Sequence, residues 1–151
     1  MDSSEFIERL GIQFEENGLP RIAGRIFGLL MVTPEPLSLD EMANSLAVSK
    51  ASVSNDARLL ARLGIIELVS RTGDRRDYYR MAADSFARSM RLRLESIRNL
   101  HALLAAGLQS NLSQDPDIQR RLAAFEADSS EMIRILEEGI SRSSARAHRV
   151  T

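Results

Sequence analysis

Residues 37–64 read LSLDEMANSLAVSKASVSNDARLLARLG, and two helix starts inside this stretch decide the fold. Ser38 can cap a helix, Glu41 sits where a capping box needs it, and Leu37 can staple onto Met42. The signals predict a short helix over about 39–46. Ser49 repeats the pattern, with Val48 and Val53 as staple partners, and opens a second helix of about 50–63 that stops at Gly64. Only Ala47, Val48 and Ser49 separate the two, so the segment is a candidate helix-turn-helix.

Downstream, Ile65-Ile66-Glu67-Leu68-Val69-Ser70 has the β-branched composition of a strand, and Tyr78-Tyr79-Arg80-Met81 reads as its return. The polar run Arg71 to Asp77 between them completes a hairpin. Upstream, Phe6, Ile7, Leu10 and Phe14 mark an amphipathic helix over 3–17, ending at Asn17-Gly18. A further helix over 20–32 has Pro20 as its first residue and ends at Thr33-Pro34-Glu35-Pro36. Gly24 and Gly28, four apart on it, suit close helix packing.

Beyond the hairpin, Met90, Leu94, Ile97, His101, Leu104 and Leu108 form one narrow apolar seam. After Asp115-Pro116, Ile118, Leu122, Phe125, Ser129, Met132 and Leu136 form another. Residues 141–151, SRSSARAHRVT, have little apolar content and read as a disordered basic tail. The fold class is mainly α with a small β-hairpin wing (α+β): a winged helix-turn-helix flanked by N- and C-terminal helices.

Composition narrows the function. At 44% apolar and 27% charged, the 151 residues have a globular composition, and no apolar run is long enough to span a membrane. The acidic N-terminus MDSSEFIERL lacks a secretory signal, so the expected location is cytoplasmic. Zero cysteines exclude disulfides and thiolate zinc sites, and two histidines are too few for a metal site. No cofactor is implied: G-x-G-x-x-G, P-loop, H-E-x-x-H and G-x-S-x-G patterns are all missing, and an enzyme is not expected.

A net charge of −1 argues against a nucleic-acid partner only on average. Residues 49–80 carry seven basic against four acidic side chains, while 1–19 and 111–141 each sum to −4. A basic middle between acidic flanks suffices, because phosphates are met at short, screened range.

On a helical wheel of 50–63, Val53, Ala57, Leu59, Leu60 and Leu63 cluster on one side. Ala51, Ser54, Asn55, Arg58 and Arg62 gather opposite. Small residues permit close approach to a groove, Asn and Ser can bond base edges, and Arg can bond guanine or phosphate. The helix start at Ser49 and Lys50 suits a phosphate oxygen. A solvated surface face has similar composition, and the flanking capped helix and hairpin favour DNA. Arg75 and Arg76 at the hairpin tip can reach a minor groove, with Asp74 and Asp77 restraining their rotamers.

Residues 18–80, with Ser49-Lys50-Ala51-Ser52-Val53-Ser54-Asn55, Arg62-Leu63-Gly64 and Gly73-Asp74-Arg75-Arg76-Asp77, resemble the winged helix-turn-helix of MarR-type transcriptional regulators, most closely the GbsR-like branch. The resemblance implies a homodimeric, repressor-like regulator with terminal helices at the dimer interface. It also implies that Arg76 is the wing arginine, Asp74 its orienting partner, and Ser52, Ser54, Asn55 and Arg58 the recognition-helix residues. The domains expected are 18–82 for DNA binding, 1–17 with 83–140 for dimerisation, and the tail from 141.

The expected partners are thus double-stranded DNA, a second copy of the chain and a small-molecule effector of unknown identity, for which a cleft between the winged domain and the long helices is the natural place. The alternative is a winged-helix protein-interaction module that does not read DNA. Asp56 fits poorly: it falls near the inward face, where an arginine partner, Arg21 or Arg25, is expected. Tyr78 and Tyr79 should point to opposite faces, one into the core and one offering its hydroxyl to phosphate. His101 has two readings, a pH-sensitive seam residue or a hydrogen-bonded interface histidine. The tail arginines Arg142, Arg146 and Arg149 either touch flanking DNA or stay solvated.

Overall fold

The computed structural model describes residues 1–110, 112 and 114–147. The elements are α1 (Ser3–Glu16), α2 (Arg21–Val32), β1 (Leu37–Ser38), α3 (Leu39–Leu46), α4 (Lys50–Arg62), β2 (Ile66–Val69), β3 (Tyr78–Met81), α5 (Ser85–Gln109) and α6 (Pro116–Ala147). They divide into two units, Met1–Ser85 and the residues from Phe86 onward.

In the first unit the expected caps are present. Ser38 accepts from the Glu41 amide at 3.3 Å, and the Glu41 carboxylate accepts from both the Ser38 amide and hydroxyl at 2.7 Å. These bonds hold the Glu41 carboxyl below the usual range. Ser49 caps α4 by accepting from the Ser52 amide at 3.2 Å. Between the helices Ala47 takes the left-handed conformation (φ 52°), and its amide and that of Val48 bond back to the end of α3. A non-glycine residue there is costly because its Cβ crowds the next carbonyl.

Ile26, Leu30, Met42, Val53, Ala57, Leu60, Ile66 and Tyr79 form the buried core under α4. Each large side chain so buried contributes about 1.5–3 kcal/mol. α1 packs along α2, where a Cβ at Gly24 would collide with the Leu10 carbonyl and Phe14, and one at Gly28 would lie 3.0 Å from Ile7 Cα. The glycine pair is a packing device, as the spacing suggested. Residues 1–17, expected among the dimerisation helices, therefore belong by packing to the winged unit.

The sheet has three antiparallel strands in the order β1-β3-β2, with Leu37 opposite Tyr79 and Ser38 opposite Tyr78. β1 adds a strand to the expected hairpin. Two residues carry no periodic signal, and their pairing exists only once β3 has folded back against them.

In the second unit α5 and α6 meet through Arg98 to Glu137 and through His101 to Ser129. The α6 seam differs from the one read along the sequence. Ile118, Leu122, Ser129, Ile133 and Leu136 are at least partly covered, whereas Phe125 and Met132 stand exposed. A strict seven-residue repeat drifts around a straight α-helix, so a single stripe does not remain on one contact face. The segment from 141, expected as a tail, continues α6 as far as it is described. α6 runs through Ala147, favoured by its alanines and by Arg142 pairing with Glu138 one turn earlier. Residues 148–151 of that tail lie outside the described residues.

Candidate nucleic-acid interface

The outward face of α4 is the one anticipated. Ser49, Lys50, Ala51, Asn55, Arg58 and Arg62 are exposed, and Ser52 and Ser54 are partly so. Val53, Ala57 and Leu60 hold the opposite face in the core. Arg58 donates to the Asn55 side-chain oxygen at 2.8 Å and to the Ser54 carbonyl at 3.2 Å, so the two residues form one arranged polar pair. Ser52 turns back to the cap, its hydroxyl 2.8 Å from that of Ser49. Arg62 lies in the last turn, about 18 Å along the axis from Lys50 at 1.5 Å per residue.

The wing is held by Asp74. Its carboxylate accepts from the Arg76 amide at 3.0 Å, from Arg76 Nη2 at 2.7 Å and from the Tyr78 hydroxyl at 2.7 Å. These bonds, led by that from the Arg76 side chain, hold the Asp74 carboxyl far below its ordinary range and raise Arg76. The guanidinium of Arg71 stacks 4.1 Å over the Tyr78 ring and donates to the Pro36 carbonyl at 3.0 Å. The tip is therefore preorganised, with Arg75 and Arg76 exposed at its end.

The tyrosine expectation is corrected here. Both rings are buried, Tyr78 at 1% exposure beneath the wing and Tyr79 in the core. Tyr78 spends its hydroxyl on Asp74, and burial raises Tyr79. A four-residue strand alternates faces, but the guanidinium of Arg71 stacked on the Tyr78 ring helps cover the second face too.

Two ends of the candidate site come together in a notch of about 230 Å³ lined by Ser38, Asp40, Lys50, Arg75, Arg76 and Asp77. Lys50 is paired with Asp40 at 3.0 Å across it. The role of Asp40 was not anticipated, because the ten residues separating it from Lys50 conceal a contact made only by the turn.

Asp56 does not pair with arginine. It accepts from the Ala23 amide in the first turn of α2, where Pro20 supplies no side-chain cap. Arg21 and Arg25 instead meet Glu8 of α1. Partial burial outweighs that bond and raises the Asp56 carboxyl. Among the described residues no cluster suited to a metal ion occurs.

A capped helix pair and a hairpin wing completing the sheet define a winged helix-turn-helix fold. A profile of the MarR family matches residues 17–77. The HTH-type transcriptional regulator MmpR5 of Mycobacterium tuberculosis is 36% identical over 146 residues, covering 96% of this chain and 88% of that protein. The chain belongs to the MarR family. A solved structure described as a transcriptional regulator superposes with a TM-score of 0.86 at 35% identity, covering 96% of this chain and 99% of the other. The HTH-type transcriptional repressor OpcR of Bacillus subtilis is 28% identical over 80 residues, 53% of this chain and 43% of that protein. The protein is thus a transcriptional regulator and not an enzyme. Among the described residues no helix is long and apolar enough to cross a membrane.

Proposed function

We propose that the protein is a homodimeric repressor that binds a specific double-stranded DNA site in the cytoplasm and excludes other proteins from it. The observation that carries this reading is the convergence of the α4 start and the wing tip on one notch that brings Lys50, Arg75 and Arg76 together, with Arg76 already held by Asp74. In this reading Ala51, Ser54, Asn55 and Arg58 enter the major groove. Ser49, Lys50, Ser52 and Arg62 meet the backbone, and Arg76, oriented by Asp74 beside Arg75, enters the minor groove. The segments 49–55 and 73–77 favour the GbsR-like branch, and the repressor assignment is supported by the likeness to OpcR.

Dimerisation is supported by apolar side chains on α5 and α6 that one chain leaves in water, among them Leu103 at 70% and Phe125 at 65% exposure. A two-fold dimer would set two α4 helices about 34–36 Å apart over a palindrome. An effector would act only by binding the DNA-competent and incompetent forms unequally.

The test is selection of bound duplexes from a random pool, read with the mass of the free protein. A palindromic consensus and a dimer are expected. Specific binding through ~6–10 phosphate contacts should weaken about 10³–10⁵-fold between 50 and 200 mM salt. No duplex retained at low salt would overturn the proposal in favour of a protein-interaction module.

A further inference from the structure

The turn between α3 and α4 is secured from outside by Arg25 of α2. Its Nη2 donates to the carbonyl of Leu46, the last residue of α3, at 2.9 Å. That carbonyl stands at a helix C-terminus, where a cation is favoured and no helical donor remains. On its other side the buried Nε of Arg25 lies 2.5 Å from a Glu8 carboxylate oxygen of α1, an ion contact rather than a hydrogen bond. Only 20% of the Arg25 side chain is exposed.

A second observation concerns the space this side chain occupies. Gly11 is buried in the middle of α1, where glycine costs about 1 kcal/mol relative to alanine. A Cβ there would stand 2.7 Å from Arg25 Cγ. The glycine leaves the channel through which the arginine stem passes from α1 to the turn. Glu8 fixes one end of the guanidinium and Leu46 receives the other.

We infer that Arg25 is a positioning residue for DNA reading: it links α1 to the α3–α4 turn and so sets where the first turn of α4 stands. The inference rests on the DNA-binding reading above. Ala47, in its left-handed conformation, follows Leu46 directly, and Ser49 caps α4 two residues later. Releasing the Leu46 carbonyl therefore frees the turn that aims Lys50, Ala51 and Ser54. The core contacts of Val53, Ala57 and Leu60 remain and keep α4 helical.

The experiment compares the full-length parent with Arg25→Met, which keeps the stem and removes both polar contacts, and with Arg25→Lys, which keeps one donor. For folded Arg25→Met, the ratio of affinity for the selected site to that for random duplex falls about tenfold, the worth of a displaced base contact. Arg25→Lys restores part of it. Adding Asn55→Ala to Arg25→Met costs little more discrimination, whereas mere loss of stability would leave the two effects independent. Amide exchange at Ala47 and Val48 quickens in the variant without DNA.

A parent-like ratio and parent-like exchange in Arg25→Met overturn the inference. Should that variant not fold, Gly11→Ala decides: it displaces the same stem from α1, and a parent-like ratio there overturns it equally. Should the parent bind no duplex, the DNA reading fails by itself, and exchange at Ala47 and Val48 still decides whether Arg25 holds the turn.

Discussion

At the scale of single residues, the proposed function assigns different parts of binding to the wing and to the recognition helix. Arg76→Ala is expected to weaken binding to every duplex and to lower the salt slope by about 1, while Asn55→Ala relaxes choice at particular bases by ~1–3 kcal/mol. Titrations against selected and random duplexes at several salt concentrations separate these outcomes. Equal behaviour of the two variants would remove both assignments. Asp56 gives a stability prediction of defined sign. Its folded carboxyl is raised, so its contribution is fullest when protonated and is lost as pH rises through the folded value. Asp56→Asn keeps an acceptor for the Ala23 amide without the charge. It should be more stable than the parent at pH 7, with the advantage shrinking toward about pH 4. Asp56→Ala, which removes the acceptor, should cost about 1 kcal/mol. Denaturant melts at the two pH values check both. Asp56 also shows where reading residues one at a time runs out. The sequence marked it as an inward charge needing a partner, but a backbone amide of another helix has no side-chain signature. Arg21 and Arg25 looked suitable and were already committed to Glu8.

At the scale of elements, local signals were legible wherever a helix carries its own start. Ser38 with Glu41, and Ser49 with Val53 behind it, announce α3 and α4 because caps act within four residues. The Asp74–Arg76 pair in the wing was legible for the same reason. What escaped depends on distant partners: β1 exists through β3, Tyr78 is covered by Arg71, and the contact face of α6 is chosen by α5. The α1–α2 pair offers a direct test of close packing. Gly24→Ala should improve intrinsic helix propensity yet destabilise the fold by about 1–3 kcal/mol, because its Cβ meets backbone and a ring root that cannot both yield. Chemical denaturation with unchanged m-value would measure it. A stabilised Gly24→Ala protein would show that the two helices separate easily.

At the scale of the whole molecule, the near-zero charge takes on a definite meaning. Arginines at 21, 25, 76, 80, 98 and 134 face carboxylates within the chain, so much of the basic character is already neutralised before any partner arrives. Non-specific DNA affinity should accordingly be modest, with binding dependent on a matched site. The assembly prediction belongs here as well. Phe125→Glu and Leu103→Glu place charge on exposed apolar positions of α6 and α5, and each should shift the mass from dimer toward monomer and lower affinity for a two-half-site duplex far more than for one half-site. Light scattering and the two duplexes read this together; unchanged dimers in both variants would move the interface elsewhere. The same uncovered leucine and phenylalanine have a further consequence. In the proposed dimer such surface is buried only when two chains meet, and part of the folding free energy would then come from mass action. Melting temperature should therefore climb with protein concentration. In a cell holding few copies, dilution alone would leave a larger share of softer single chains open to proteolysis.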